Sequence, residues 1–90
     1  MTAVANVALR DCVRFRSMGD ECVVLVQDDG KVLLVNELGG LVLQMLREGV
    51  PVVEIPGRIA AEFEVEEAVA ARDVAEYLAS LRDNGVVVEV

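Results

Sequence analysis

The hydrophobic pattern changes period at Asn36. Before it, apolar residues alternate with polar ones or run together, as they do in strands; after it they recur every three or four positions, as they do in helices. Residues 12–16, CVRFR, place Val13 and Phe15 on one face and Cys12, Arg14 and Arg16 on the other, which predicts a half-buried strand. Residues 17–20 contain Gly19 and predict a turn. Residues 21–27, ECVVLVQ, predict a second strand that is apolar on both faces. Asp28-Asp29-Gly30 is a hairpin signal, so Lys31–Asn36, KVLLVN, should form a third strand antiparallel to the second. Residues 1–11 carry no strong period and predict a frayed end or an irregular first strand.

The helical half starts abruptly. Asn36 is a good N-cap, because its side-chain oxygen can accept from free N–H groups of the first turn. Glu37 suits the positive end of the helix dipole. Leu38, Leu41, Val42, Met45 and Leu46 form one apolar stripe. Gly49 ends this helix, and Pro51 cannot extend it. A second helix is expected over 54–63, with Pro56 in its first turn and Ile55, Ile59 and Phe63 on one face. A third is expected over 66–83, with Ala70, Val74, Tyr77, Leu78 and Leu81 facing inward. Residues 86–90, VVVEV, predict a short closing strand.

This order implies an α+β fold of winged helix-turn-helix type, with three N-terminal antiparallel strands followed by three helices in one domain, 1–90. One face of the sheet must cover the helices. The other needs the N-terminal segment, a second subunit in a homodimer, or a bound partner. The sheet also leaves an edge whose free N–H and C=O groups form a template for an added strand.

Composition narrows the function. The chain is 54% hydrophobic, which suffices for a core and excludes disorder. Sixteen acids against eight bases give a net charge of −8. Nucleic acid and anionic membrane both require clustered Lys and Arg, so neither is an expected partner. A winged-helix DNA-binding regulator is the alternative reading. Its recognition helix, the third, would carry Glu66, Glu67, Asp73, Glu76 and Asp83 against Arg72 and Arg82, the wrong sign for phosphate. A structural oligomerisation subunit is another alternative. The N-terminus has no signal peptide, and no apolar run reaches membrane-span length, so the expected location is cytoplasmic.

Chemistry-bearing motifs are scarce. The chain has no histidine, and Lys31 is its one lysine. No catalytic constellation, cofactor or metal is expected. Cys12 and Cys22 have no metal-ligand spacing and fit small apolar strand residues. Glu62, Glu64, Glu66 and Glu67 fit a helix N-terminus better than a metal site. Gly39-Gly40 is disfavoured inside a helix by about 1 kcal/mol per glycine. The pair lacks a nearby base to hold phosphate, so close backbone packing is the expected reason for it.

Asn36, Gly39, the 41–46 stripe, Gly49, Val53-Glu54-Ile55, Asp73-Val74, Leu78, Leu81 and Gly85-Val86 form an ordered set that resembles the PqqD family over roughly 21–88. Each piece is loose, but the ordered spacing is fairly specific. Val35 stands where that family usually has Leu and Leu38 where it has Thr. Pro51 and Pro56-Gly57 are unusual, and a Ser or Thr cap before the second helix is missing.

The resemblance implies a peptide chaperone, a RiPP recognition element, and not an enzyme. Such domains bind the leader of a ribosomally made precursor peptide and present it to a modifying enzyme, such as a radical SAM maturase or a lasso-type leader protease. It implies that the leader adds as a strand beside Lys31, Val32, Leu33, Leu34, Val35 and Asn36. It also implies contact with the exposed side of the third helix at Asp73, Glu76, Tyr77 and Ser80. Val35→Pro would then be expected to remove a donor from the backbone edge and also to strain the sheet.

Overall fold

Four strands, three helices and a closing strand follow one another in the computed structural model, which describes residues 7–89. They are β1 (Val7–Leu9), β2 (Val13–Met18), β3 (Glu21–Val26), β4 (Lys31–Asn36), α1 (Glu37–Arg47), α2 (Ile55–Phe63), α3 (Glu67–Asp83) and β5 (Val87–Glu89). The fold is α+β, with antiparallel strands preceding the three helices, as the change of period at Asn36 predicts.

β2, β3 and β4 form one antiparallel sheet in that order. Alternation sorts its residues. Cys22, Val24 and Val26 are almost completely buried, and Val13, Phe15, Leu33 and Val35 join them on the inner face. Arg14, Arg16, Met18, Val32 and Leu34 are exposed on the outer face, with Val23 and Leu25 half-buried between them. Among the described residues, the second apolar face therefore stands open.

The described part of the N-terminal segment does not cover it. Val7–Leu9 instead makes a regular strand, pairing Val7 with Glu89 and Leu9 with Val87 in a separate two-stranded sheet. The Arg10 side chain ties this region together. It donates to the Gly85 carbonyl at 2.9 Å and to Asp28 at 3.1 Å. The rest of the expected frayed end, residues 1–6, lies outside the described residues.

α1 packs on the sheet through its glycines. A Cβ on Gly39 would lie 3.0 Å from Val35 Cβ, and one on Gly40 would lie 3.0 Å from Cys22 Cβ. Close packing thus explains the pair. The sequence stripe on α1 needs a correction. Leu43, outside it, is fully buried, whereas Leu38, Leu41 and Leu46 are only half-buried. The helix is enclosed on more than one side, so a single stripe understates its core face.

Helices α1 and α3 end alike. Gly49 and Gly85 take positive φ, the Val50 amide donates to Met45 and the Val86 amide to Leu81. Gly49 and Gly85 also donate back to Leu46 and Arg82. These are Schellman closures, which satisfy carbonyls left free at a helix end. Between α1 and α2 a 3-10 turn, Val52–Glu54, takes up part of the segment expected to be helical, and α2 begins at Ile55. α2 and α3 bury Ile55, Ile59, Ala70, Val74, Leu78 and Leu81, with Phe63 half-buried beside them. Cys12 lies in the turn before β2, not on the strand, and both thiols are free.

Candidate functional site

β4 is an edge strand, paired among the described residues only with β3. The register shows which of its backbone groups are free. The Gln27 amide donates to the Cys12 carbonyl at 2.9 Å, so Gln27 turns its backbone groups toward the β2 side. Successive residues of an antiparallel strand turn to opposite sides. Val26, Val24 and Cys22 therefore turn toward β4, where their partners are Lys31, Leu33 and Val35. Val32 and Leu34 fall between these and turn their N–H and C=O groups to the open edge.

α3 runs beside that edge and is tied to β4 at both ends. Lys31 Nζ donates to the Asn84 carbonyl, at the end of α3, at 3.4 Å. At the other end the Tyr77 hydroxyl donates to Asn36 Oδ1. The same oxygen accepts from the Gly39 amide at 3.0 Å and so caps α1.

Asp73, Glu76, Tyr77 and Ser80 recur at three- and four-residue spacing and form one stripe of α3. With Asn36 and Leu38 they line an open cavity of about 430 Å³. Among the described residues, two carboxylates and no base line it. Asp73 has a distant partner in Arg72, 3.9 Å away and largely exposed. The cavity wall is therefore acidic, apolar at Leu38 and the Tyr77 ring, and hydrogen-bonding at Ser80 and Asn36.

The structure gathers Asn36, Asp73, Glu76, Tyr77 and Ser80 around one cavity, with Tyr77 there rather than wholly on the inward stripe. Lys31, Val32, Leu33, Leu34 and Val35 do not line it. Val32 and Leu34 supply the free edge, while Leu33 and Val35 turn their side chains inward and their backbone groups to β3. Val35 therefore cannot serve as the edge-blocking position that the sequence suggested. Leu38 was read only as part of the core stripe, yet it lines the cavity. Its place in the first turn, two residues after the cap, was the available signal. Among the described residues, no three His, Cys, Asp or Glu side chains converge to hold a metal ion.

Comparison with known proteins gives a consistent picture. The family model for coenzyme PQQ synthesis protein D (PqqD) matches residues 21–87. No curated protein matches the sequence. Among solved structures, TbiB1 in complex with the TbiA(beta) leader peptide is 26% identical, with a TM-score of 0.82 over 89% of this chain and 93% of that one. Lasso peptide synthetase B1 complexed with the leader peptide is 27% identical, with a TM-score of 0.81 over 93% of this chain and 99% of that one.

Proposed function

The chain belongs to the PqqD family, and from that premise we propose that it is a leader-peptide-binding partner protein, not a catalyst. A segment of a ribosomally made precursor adds as a strand along β4, between it and α3. Its main chain pairs with Val32 and Leu34, each hydrogen bond contributing about 0.5–1.5 kcal/mol net. Specificity comes from alternate side chains, as in other strand-addition complexes. Those on the inner side of the added strand meet Leu38, Tyr77, Ser80 and the carboxylates of Asp73 and Glu76. The peptide is then held for a modifying enzyme, a radical SAM maturase or a leader protease. A single domain working in the cytoplasm completes this reading; no helix of the described residues is long and apolar enough to cross a membrane.

The observation that carries the proposal is the free edge of β4 facing the cavity-bearing side of α3. Amide hydrogen exchange with the leader of the precursor encoded beside the gene tests it. The Val32 and Leu34 amides should become strongly protected on binding. Those of Leu33 and Val35, already in the ladder, should change little. Protection confined to α2, or calorimetry showing no binding at all, would overturn the site.

A further inference from the structure

We propose that Arg10 is a positioning residue for leader binding: it clasps the C-terminal end of α3 to the β3–β4 hairpin and so sets the space between β4 and α3 that the peptide enters. This rests on the strand-addition reading above. It extends the binding machinery to a part of the chain outside the family match, which begins at residue 21.

Arg10 directly follows β1, and all its polar ends are engaged. Its amide donates to the Val86 carbonyl at 3.1 Å, and its carbonyl accepts from the Val13 amide at 3.1 Å. Nη1 donates to the Gly85 carbonyl at 2.9 Å and Nη2 to Asp28 at 3.1 Å. The backbone is thereby fixed to the segment that leaves α3. The guanidinium then reaches from that helix end to the turn leading into β4. The approach is close enough to need a glycine, because a Cβ on Gly85 would lie 3.1 Å from Nη1.

Lys31 supplies a second tie, from β4 itself. Its Nζ donates to the Asn84 carbonyl at 3.4 Å, a long bond. Two adjacent carbonyls at the end of α3 therefore accept from cations of two different elements, where the helix dipole favours positive charge. The two cations are not equivalent. A guanidinium serves two acceptors at a fixed spacing, which an ammonium on a flexible stem does not.

Exposure decides which contact of Arg10 carries the tie. The side chains of the Arg10–Asp28 pair are 29% and 64% exposed, so screening leaves the ion pair itself a small effect. The bond to the Gly85 carbonyl is part-buried and holds the helix end, while Asp28 aims the guanidinium. Without Arg10, Lys31 alone spans from β4 to that end. The leader would then have to order a looser site as it binds, which lowers affinity.

The test is calorimetry with the full chain and the leader of the precursor encoded beside the gene, with thermal unfolding of every variant. No binding by the unaltered chain overturns the strand-addition reading and the clasp with it. Every other adverse result overturns the clasp alone. Arg10→Ala should weaken leader binding about fivefold or more, the scale of coupling between separate sites. Arg10→Lys keeps the charge and serves one acceptor, so its affinity should fall between the two. Asp28→Ala should cost about twofold. The Arg10→Ala/Asp28→Ala double variant should bind no more weakly than Arg10→Ala, because the pair acts as one unit. Ile59→Val, a fully buried position on α2, should lower the thermal midpoint and leave leader affinity unchanged. Unchanged affinity in Arg10→Ala, no recovery in Arg10→Lys, or additive losses in the double variant would overturn the clasp. So would a matching loss in Ile59→Val, since affinity would then merely follow stability. Where Arg10→Ala fails to fold, Arg10→Lys against the unaltered chain decides: weaker leader binding supports the clasp and equal binding overturns it.

Discussion

Tyr77 and Asn36 are joined across the end of the groove, and the oxygen they share also caps α1. Tyr77 donates its hydroxyl to Asn36 Oδ1, which also accepts from the Gly39 amide. The Tyr77 ring occupies space that only a glycine leaves open, since a Cβ on Gly39 would lie 2.7 Å from Tyr77 Cε1. Helix cap, glycine and aromatic ring thus set where α3 stands relative to β4. Tyr77→Phe keeps the ring and loses the bond. It should cost about 0.5–1.5 kcal/mol of stability, shift the Gly39 amide resonance and weaken leader binding. An unchanged Gly39 resonance would show that the shared oxygen does not couple the two bonds.

Gly39→Ala tests the same junction from the other side. Helix propensity favours alanine by about 1 kcal/mol, but overpacking costs about 1–3 kcal/mol, and the tyrosine must give way. A net loss of about 1 kcal/mol in denaturant unfolding is expected, together with weaker leader binding. A stabilised variant with intact binding would mean that the ring moves aside freely.

Proline distinguishes the two sides of β4. Leu34→Pro removes an N–H from the open edge, where proline is tolerated, whereas Val35→Pro removes one from the ladder to β3. Leu34→Pro should abolish measurable leader binding while keeping most of the circular-dichroism signal and thermal transition. Val35→Pro should unfold the sheet. The reverse ranking would contradict the register argument.

Asp73 and Glu76 make the wall acidic, so a leader carrying Lys or Arg opposite them should be preferred. Asp73 is two-fifths exposed, so screening limits its effect to about 1 kcal/mol. Asp73→Lys should weaken a basic leader roughly fivefold at low salt, and less at high salt. The thermal midpoint should not move. A salt-independent loss would point to disrupted packing.

Cys22 is buried on β3, and that burial raises its thiol pKa above the ordinary value near 9. A raised native value means the folded state favours the neutral thiol. Its contribution is complete below the unfolded thiol's pKa and is lost as pH rises through the raised one. Unfolding free energy should therefore fall on the alkaline side. Under native conditions iodoacetamide should modify Cys12, half-buried in its turn, before Cys22. Equal rates at the two cysteines would show that β3 opens readily.

The sequence by itself determined what local physics decides. Asn36 caps α1 because its side chain lies within reach of the next turn. Gly49 and Gly85 end helices because left-handed backbone costs other residues more. The alternation in β2 and the three- and four-residue spacing in α3 each belong to a single element, so Asp73, Glu76 and Ser80 could be placed on one polar stripe in advance, whereas Tyr77, which the same spacing assigns to the inward stripe, joins them only at the cavity.

The tertiary structure decided what depends on partners distant in sequence. Nothing local in Val7–Leu9 announces a strand; it becomes one because Val87–Glu89 lies alongside. Leu43 is core because α1 is enclosed on more than one side, which no single stripe can record. Most consequentially, both Leu34 and Val35 are apolar residues of one strand. Only the pairing of β4 with β3 fixes that Leu34 offers its backbone to a newcomer while Val35 has already spent its own. Which hydrogen-bonding groups stay open is a property of the assembled sheet, not of the strand.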